Sequence, residues 1–181
     1  MDNIKKPLNK AEQGYIQLYT GNGKGKTTAA LGLALRAVGA GKKVYIAQFV
    51  KGMHYSELDS LIRFPEIELK QFGLDCFIKN IPTQKDIDAA RKGFSEVSEI
   101  IIQNNYNLVI LDELCIALYY HLIELLDVII LLKSKPTEQE IIITGRYAPF
   151  ELYEIADLIT EMKEVKHYFE MGIEARKGIE Y

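Results

Sequence analysis

Cysteine and histidine are scarce in this chain, and their scarcity removes several kinds of chemistry. Two cysteines, Cys76 and Cys115, are too few for a disulfide framework and lack metal-ligand spacing. The three histidines, His54, His121 and His167, are scattered with no H-x-x-x-H or H-E-x-x-H pair, which argues against a protein-built transition-metal site. Long apolar runs are missing too. The longest, around Leu125 to Leu132, carries Asp127 and is flanked by Glu124 and Lys133, so no membrane span is expected. Residues 1–13 are polar, contain Pro7 and lack the apolar segment of a secretory signal; they are expected to form a flexible arm on a cytoplasmic protein. There is no basic excess. Lysine and arginine number 22 against 25 acids, a net charge of −3, which disfavours nucleic acid as a partner but permits a local basic pocket. There are no repeats and no low-complexity tract.

What is present is the composition of one globular domain. The 181 residues are 48% hydrophobic and 26% charged, and a single domain is expected over residues 14–181. Strand-like runs at 15–20, 43–49, 66–72, 107–113, 140–144 and 158–162 alternate with helical patterns. The helices are expected at 27–40, 56–64, 83–104, 122–133 and 149–156. In the first, Leu31, Leu35 and Val38 recur at helical spacing. Thr83-Gln84-Lys85-Asp86 reads as a capping box with Asp in the place of Glu. The alternation predicts an α/β fold with a mostly parallel central sheet between two helical layers.

Between the first strand and first helix lies Thr20-Gly21-Asn22-Gly23-Lys24-Gly25-Lys26-Thr27. Glycines let a backbone turn sharply and aim successive N–H groups inward; a following helix adds its positive dipole end, and lysine adds full charge. Lys26 and Thr27 stand where a P-loop places its phosphate lysine and Mg²⁺ hydroxyl. The usual spacing is not met, because its first glycine falls on Thr20, and Lys24 is an additional charge. Gly21, Asn22, Gly23, Lys24, Gly25, Lys26, Thr27 and Thr28 are the candidate nucleotide-binding residues.

Leu108 to Glu113 is an apolar strand ending in two acids, the pattern that presents a carboxylate to Mg²⁺ beside a P-loop. Thr27, one of the two acids and the nucleotide are a sufficient set for that hard ion. Ile143-Thr144-Gly145-Arg146 brings a cation to the same edge, either to meet phosphate or to pair with a surface acid. Cys115 has no base partner and reads as a buried small hydrophobe. His121 reads as a surface residue between helices. No serine or cysteine nucleophile is indicated, so the residues suggest a protein that positions a nucleotide against a second reactant.

These motifs resemble one family, the P-loop-type ATP:corrinoid adenosyltransferases, the cob(I)alamin adenosyltransferases of cobalamin synthesis and salvage. The resemblance rests on Gly21 to Ala30, Gln48-Phe49-Val50-Lys51-Gly52, Leu111-Asp112-Glu113-Leu114, Ile143 to Arg146, Ala156-Asp157, Val165-Lys166-His167 and Gly178-Ile179-Glu180-Tyr181, in order over residues 14–181. It implies a three-layer P-loop NTPase (RecA-like) fold, ATP and a corrinoid as substrates, Mg²⁺ as cofactor, an electron donor such as a reduced flavoprotein, and a homodimer. It also implies the reaction: Co(I) of the reduced corrinoid attacks the 5′-carbon of ATP, and triphosphate leaves. Lys26, Thr27 and Glu113 become the catalytic residues, with Thr27 and Glu113 rather than Asp112 as metal ligands. Lys24, Lys26 and the loop N–H groups would neutralise the leaving charge.

The family also carries an aromatic pair after its third strand, near the corrinoid's lower face. Here Gly73 to Lys79 holds only Phe77, which is either a corrinoid-pocket residue or ordinary loop packing. Two other readings of the loop compete with the resemblance. One is a P-loop ATPase or phosphotransferase acting at the γ-phosphate; the other is a carrier without catalysis.

Overall fold

Among the described residues six strands, all parallel, form one sheet in the order β3-β2-β4-β5-β1-β6. A computed structural model describes residues 13–74 and 81–181. In chain order the elements are β1 (Ile16–Thr20), α1 (Lys26–Gly39), β2 (Val44–Phe49), α2 (Ser56–Leu61), β3 (Ile67–Phe72), α3 (Gln84–Gln103), β4 (Leu108–Asp112), α4 (Leu114–Tyr119), α5 (Leu125–Lys133), β5 (Glu140–Thr144), α6 (Phe150–Ile155) and β6 (Leu158–Glu161). A 3₁₀ turn follows at Tyr168–Met171. Most of the expected arm, and Cys76 and Phe77, lie outside the described residues.

The central strands are apolar on both faces because helices cover both. β2 and β4 are buried at every position. On one face Ala30, Ala34 and Ala37 of α1 and Leu61 of α2 pack over Val44, Ile46, Ile110 and Ile142. On the other, α3 to α6 cover Tyr45, Ala47, Val109, Leu111, Ile141 and Ile143 with Val97, Ile101, Leu114, Val128, Leu132 and Leu152. The expected parallel three-layer α/β architecture is therefore present.

Several local expectations change. The buried stripe of α1 is its alanines, while Leu35 is 44% exposed. Small side chains let the helix axis approach the sheet, and the leucines lie to its sides. The helix α3 begins with the expected reciprocal cap: Thr83 N–H donates to Asp86 Oδ2 at 2.8 Å, and Asp86 N–H donates back to Thr83 Oγ1. The short helix α4 was not expected, and α5 starts at Leu125 rather than Leu122. His121, exposed with φ 53°, marks the reversal between them.

The topology determines where chemistry can occur. β5 lies between β1, which leads into the glycine-lysine loop, and β4, which ends in acids. Register then aligns the strand ends. Gln48 pairs with Asp112, Tyr19 pairs with Thr144, and Leu111 pairs with Ile143, so Gln48, Asp112 and Thr144 form one row at the carboxyl edge. Open α/β sheets bind ligands at that edge, where strand order reverses.

Candidate active site

The loop from Thr20 to Thr27 leaves β1 and turns into α1 with a backbone that only glycine adopts readily at two points. Gly21 has φ 94°, and a Cβ there would sit 2.6 Å from the Met162 carbonyl oxygen; Gly25, the residue capping α1, has φ 117°. The loop is buttressed from outside by a hydrogen bond from Gly23 N–H to Met162 O at 2.6 Å.

Lys26 is 6% exposed and points into the loop, donating to Gly21 O and Gly23 O at 2.8 Å each. Burial pulls its pKa down; Glu113 and Asp112 oppose that, and Arg146 adds to it. Those couplings bring Lys26, Asp112, Glu113 and Arg146 into one electrostatic neighbourhood. Arg146 itself is exposed.

Asp112, fully buried, is the hub. Its Oδ1 accepts from Thr27 Oγ1 at 2.8 Å and Thr144 Oγ1 at 2.7 Å; its Oδ2 accepts from Lys51 Nζ at 2.8 Å and Gln48 Nε2 at 3.2 Å. Burial lowers the Lys51 pKa, but Asp112, Glu113 and Glu57 outweigh it, and the net shift is upward. Lys51 also lies 5.1 Å over the Tyr55 ring. Gln48, Lys51 and Thr144 were not singled out from the sequence as site residues. The available signal was polarity: Gln48 interrupts an apolar strand, and Thr144 and Lys51 stand at or just past strand ends.

Glu113 behaves differently from its neighbour. Its backbone is left-handed, φ 58°, and its N–H donates to Thr144 Oγ1 at 3.0 Å. Among the described residues, its carboxylate takes part in no hydrogen bond or ion pair. Burial raises its pKa, and so does Asp112, while Lys51, Lys26 and Arg146 pull it down. Glu113 is half-buried, and a carboxylate that no donor engages keeps its oxygen lone pairs free. Thr27 gives its hydrogen to Asp112, which likewise leaves its oxygen lone pairs available. One carboxylate and one hydroxyl beside a polyphosphate loop suit a hard divalent cation such as Mg²⁺, which takes few protein ligands.

The other candidates are dispersed. Asn22 and Thr28 are exposed. Lys24 is held by the end of the chain: its Nζ donates to Ile179 O at 2.7 Å and lies 3.9 Å from Glu180. Cys115 is fully buried, and burial pushes its thiol up to about 12, so it is no nucleophile. His54 pairs with Asp59 at the surface, and His167 caps the 3₁₀ turn. No helix among the described residues is long and apolar enough to cross a membrane.

Comparison with known proteins places these observations among relatives. The family described as ATP:corrinoid adenosyltransferase BtuR/CobO/CobP matches residues 12–181. The corrinoid adenosyltransferase of Escherichia coli K12 is 36% identical over 170 residues, covering 94% of this chain and 87% of that protein. That of Pseudomonas aeruginosa is 37% identical over 172 residues, 94% of this chain and 85% of its own length. The corrinoid adenosyltransferase CobA of Salmonella typhimurium is 35% identical over 170 residues, with 94% and 87% covered. Among solved structures, a KaiC-like protein from Pyrococcus horikoshii OT3 superposes with a TM-score of 0.52 at 14% identity, over 85% of this chain and 75% of that one. This last likeness is one of fold alone.

Proposed function

The chain belongs to the ATP:corrinoid adenosyltransferase family, and from that premise we propose that it transfers the 5′-deoxyadenosyl group of ATP to the Co(I) of a reduced corrinoid and releases triphosphate. The cobalt electron pair forms the Co–C bond, the C5′–O bond breaks, and the oxygen leaves with its pair on triphosphate. Cobalt is the nucleophile, so the protein needs none. Its task is to align the reactants and to meet the negative charge that grows on the leaving group.

The observation that carries this reading is the meeting of Lys26, Thr27, Asp112 and Glu113 at one strand edge in a member of this family. Lys26 and the loop N–H groups offer charge and donors to the triphosphate. Thr27 and Glu113 would hold Mg²⁺, which when bound supplies further neutralisation of the phosphates. Asp112 serves as the anchor that orients Thr27, since four donors already engage it. Gly21, Asn22, Gly23, Gly25 and Thr28 complete the nucleotide contacts.

The same proposal takes residues 14–181 as one catalytic domain. It includes a homodimer, a cytoplasmic location and an electron donor such as a reduced flavoprotein, as the resemblance in sequence implies. Phe77, outside the described residues, is kept in the proposal as a corrinoid-pocket residue.

The test is product identity. The protein is incubated with Mg-ATP, cobalamin and a strong chemical reductant, and both products are analysed. Triphosphate together with a light-sensitive Co–C bond is expected. ADP and phosphate would overturn the reading in favour of a γ-phosphate enzyme. Binding without turnover would point to a carrier.

A further inference from the structure

The last stretch of the chain does not trail away from the sheet. It folds into a small knot around Glu180. The Glu180 carboxylate accepts from the Tyr168 hydroxyl, from Arg176 N–H at 2.8 Å, and from Arg176 Nε and Nη2 at 3.3 and 3.4 Å. The Arg176 guanidinium lies 4.9 Å over the Tyr168 ring. Backbone bonds from Glu180 N–H to Arg176 O at 2.9 Å and from Gly178 N–H to Tyr181 O at 2.6 Å close the turn.

The knot is attached at two places, both on the carboxyl edge of the sheet. Lys24 Nζ donates to Ile179 O at 2.7 Å and stands 3.9 Å from Glu180; Ser56 Oγ, at the start of α2, donates to Tyr181 O at 2.9 Å. The segment thus bridges the glycine-lysine loop and α2, on the side of the sheet covered by α1 and α2. On the loop's other flank, Met162 accepts from Gly23 N–H at 2.6 Å. The two lysines divide the loop between them: Lys26 donates to its carbonyls and Lys24 ties it to the tail.

We infer that residues 168–181 form a wall of the nucleotide site, in which Glu180 is a positioning residue that holds Lys24 beside the loop for a phosphate group. The inference rests on the nucleotide-binding reading above. An ammonium has three donors, and Ile179 O takes one; the others stay free for phosphate oxygen. A lysine released from the tail would sample many rotamers in water and lose that advantage before each binding event. Glu180 sits at the hub because it meets Tyr168, Arg176 and Lys24 together. The hydrogen bonds from Tyr168 and Arg176 also hold its carboxyl down to about 2, so the charge opposite Lys24 persists throughout the neutral range.

The test uses the full chain and equilibrium binding of Mg-ATP, measured by calorimetry well below the unfolding transition. Glu180→Gln is expected to weaken binding by about threefold to fivefold, the range of a partly exposed ion pair. Tyr168→Phe, which removes one hydroxyl and keeps the ring, should shift affinity in the same direction. Lys24→Met should weaken it at least as much as Glu180→Gln. The double variant Lys24→Met/Glu180→Gln should bind no more weakly than Lys24→Met alone, because Glu180 acts through Lys24. A tail that only stabilises the fold would lower the melting temperature and leave these affinities unchanged, which overturns the inference. Multiplicative effects in the double variant overturn it too. A wild-type chain that fails to bind ATP removes the nucleotide site itself; one that binds, with Glu180→Gln binding equally well, removes only the tail's role.

Discussion

Thr27 donates its hydroxyl hydrogen to Asp112 across 2.8 Å, latching the first turn of α1 to the end of β4 over the intervening β5. Thr144, at the end of β5, donates to the same carboxylate oxygen at 2.7 Å. Three elements far apart in sequence thus share one buried acid. That acid fixes the direction in which the Thr27 oxygen presents its lone pairs.

This arrangement makes Asp112 a structural liability as well as an anchor. Asp112→Ala would leave Lys51 charged and largely buried, with Glu57 at 3.9 Å as its remaining close partner. Removing one member of a buried, hydrogen-bonded pair costs about 3–5 kcal/mol, and that loss is expected in urea unfolding. A change below about 1 kcal/mol would be the signature of a surface ion pair and would contradict the hub.

Lys26 should separate function from folding in the opposite way. Burial pulls its pKa down, so its charge adds little to the stability of the fold. Lys26→Ala is therefore expected to change unfolding free energy little. Turnover should fall by about 100-fold or more, the scale seen when a donor to developing negative charge is removed. A variant with near wild-type kcat would contradict the assigned role.

The loop was legible in the sequence because its function is local: glycines and lysines within eight residues state their purpose without a fold. The β-sheet was legible because β2 and β4 are apolar runs bounded by turns. The Asp112 hub was not. Gln48, Lys51 and Thr144 stand 64, 61 and 32 residues from it, and only parallel register brings them into one row. The helix α4 was invisible because its six residues are too few for a period and it begins at the left-handed Glu113. In α1 the leucine pattern pointed to the wrong stripe, since large residues dominate a hydrophobic period while close packing on a sheet selects alanine. The contact of Lys24 with the tail spans 155 residues and carries no local mark.

Alkaline pH should expose a network on the edge strand β3. The Tyr106 hydroxyl donates to Glu68, and Lys70 bridges Glu68 at 3.2 Å and Glu96 at 2.5 Å. Burial, then the Glu68 hydrogen bond, pushes Tyr106 up to about 12 from its ordinary 10. Between those values the unfolded chain has released this proton and the folded chain still holds it. The contribution is therefore complete below pH 10 and is lost as pH rises toward 12. Tyr106→Phe should make the decline of stability between pH 10 and 12 shallower than in the wild type, as read from urea midpoints across that window. Equal slopes would place the Tyr106 proton elsewhere.

Glu113 offers the sharpest contrast with Asp112, although the two are adjacent. Among the described residues no donor engages its carboxylate, and burial raises its pKa. A raised carboxyl pKa means that the folded chain holds the proton more tightly than the unfolded one. Its stabilising contribution is present at low pH and lost as pH rises through the folded value, so at neutral pH the ionised group opposes folding. Glu113→Gln keeps the shape and removes that charge. It should leave the melting temperature unchanged or raise it, where Asp112→Ala lowers it. Turnover should fall sharply, and the Mg²⁺ concentration giving half-maximal rate should rise, because an amide is a poorer ligand for a hard cation than a carboxylate. Wild-type turnover with an unshifted Mg²⁺ dependence in Glu113→Gln would transfer the metal-binding role to Asp112.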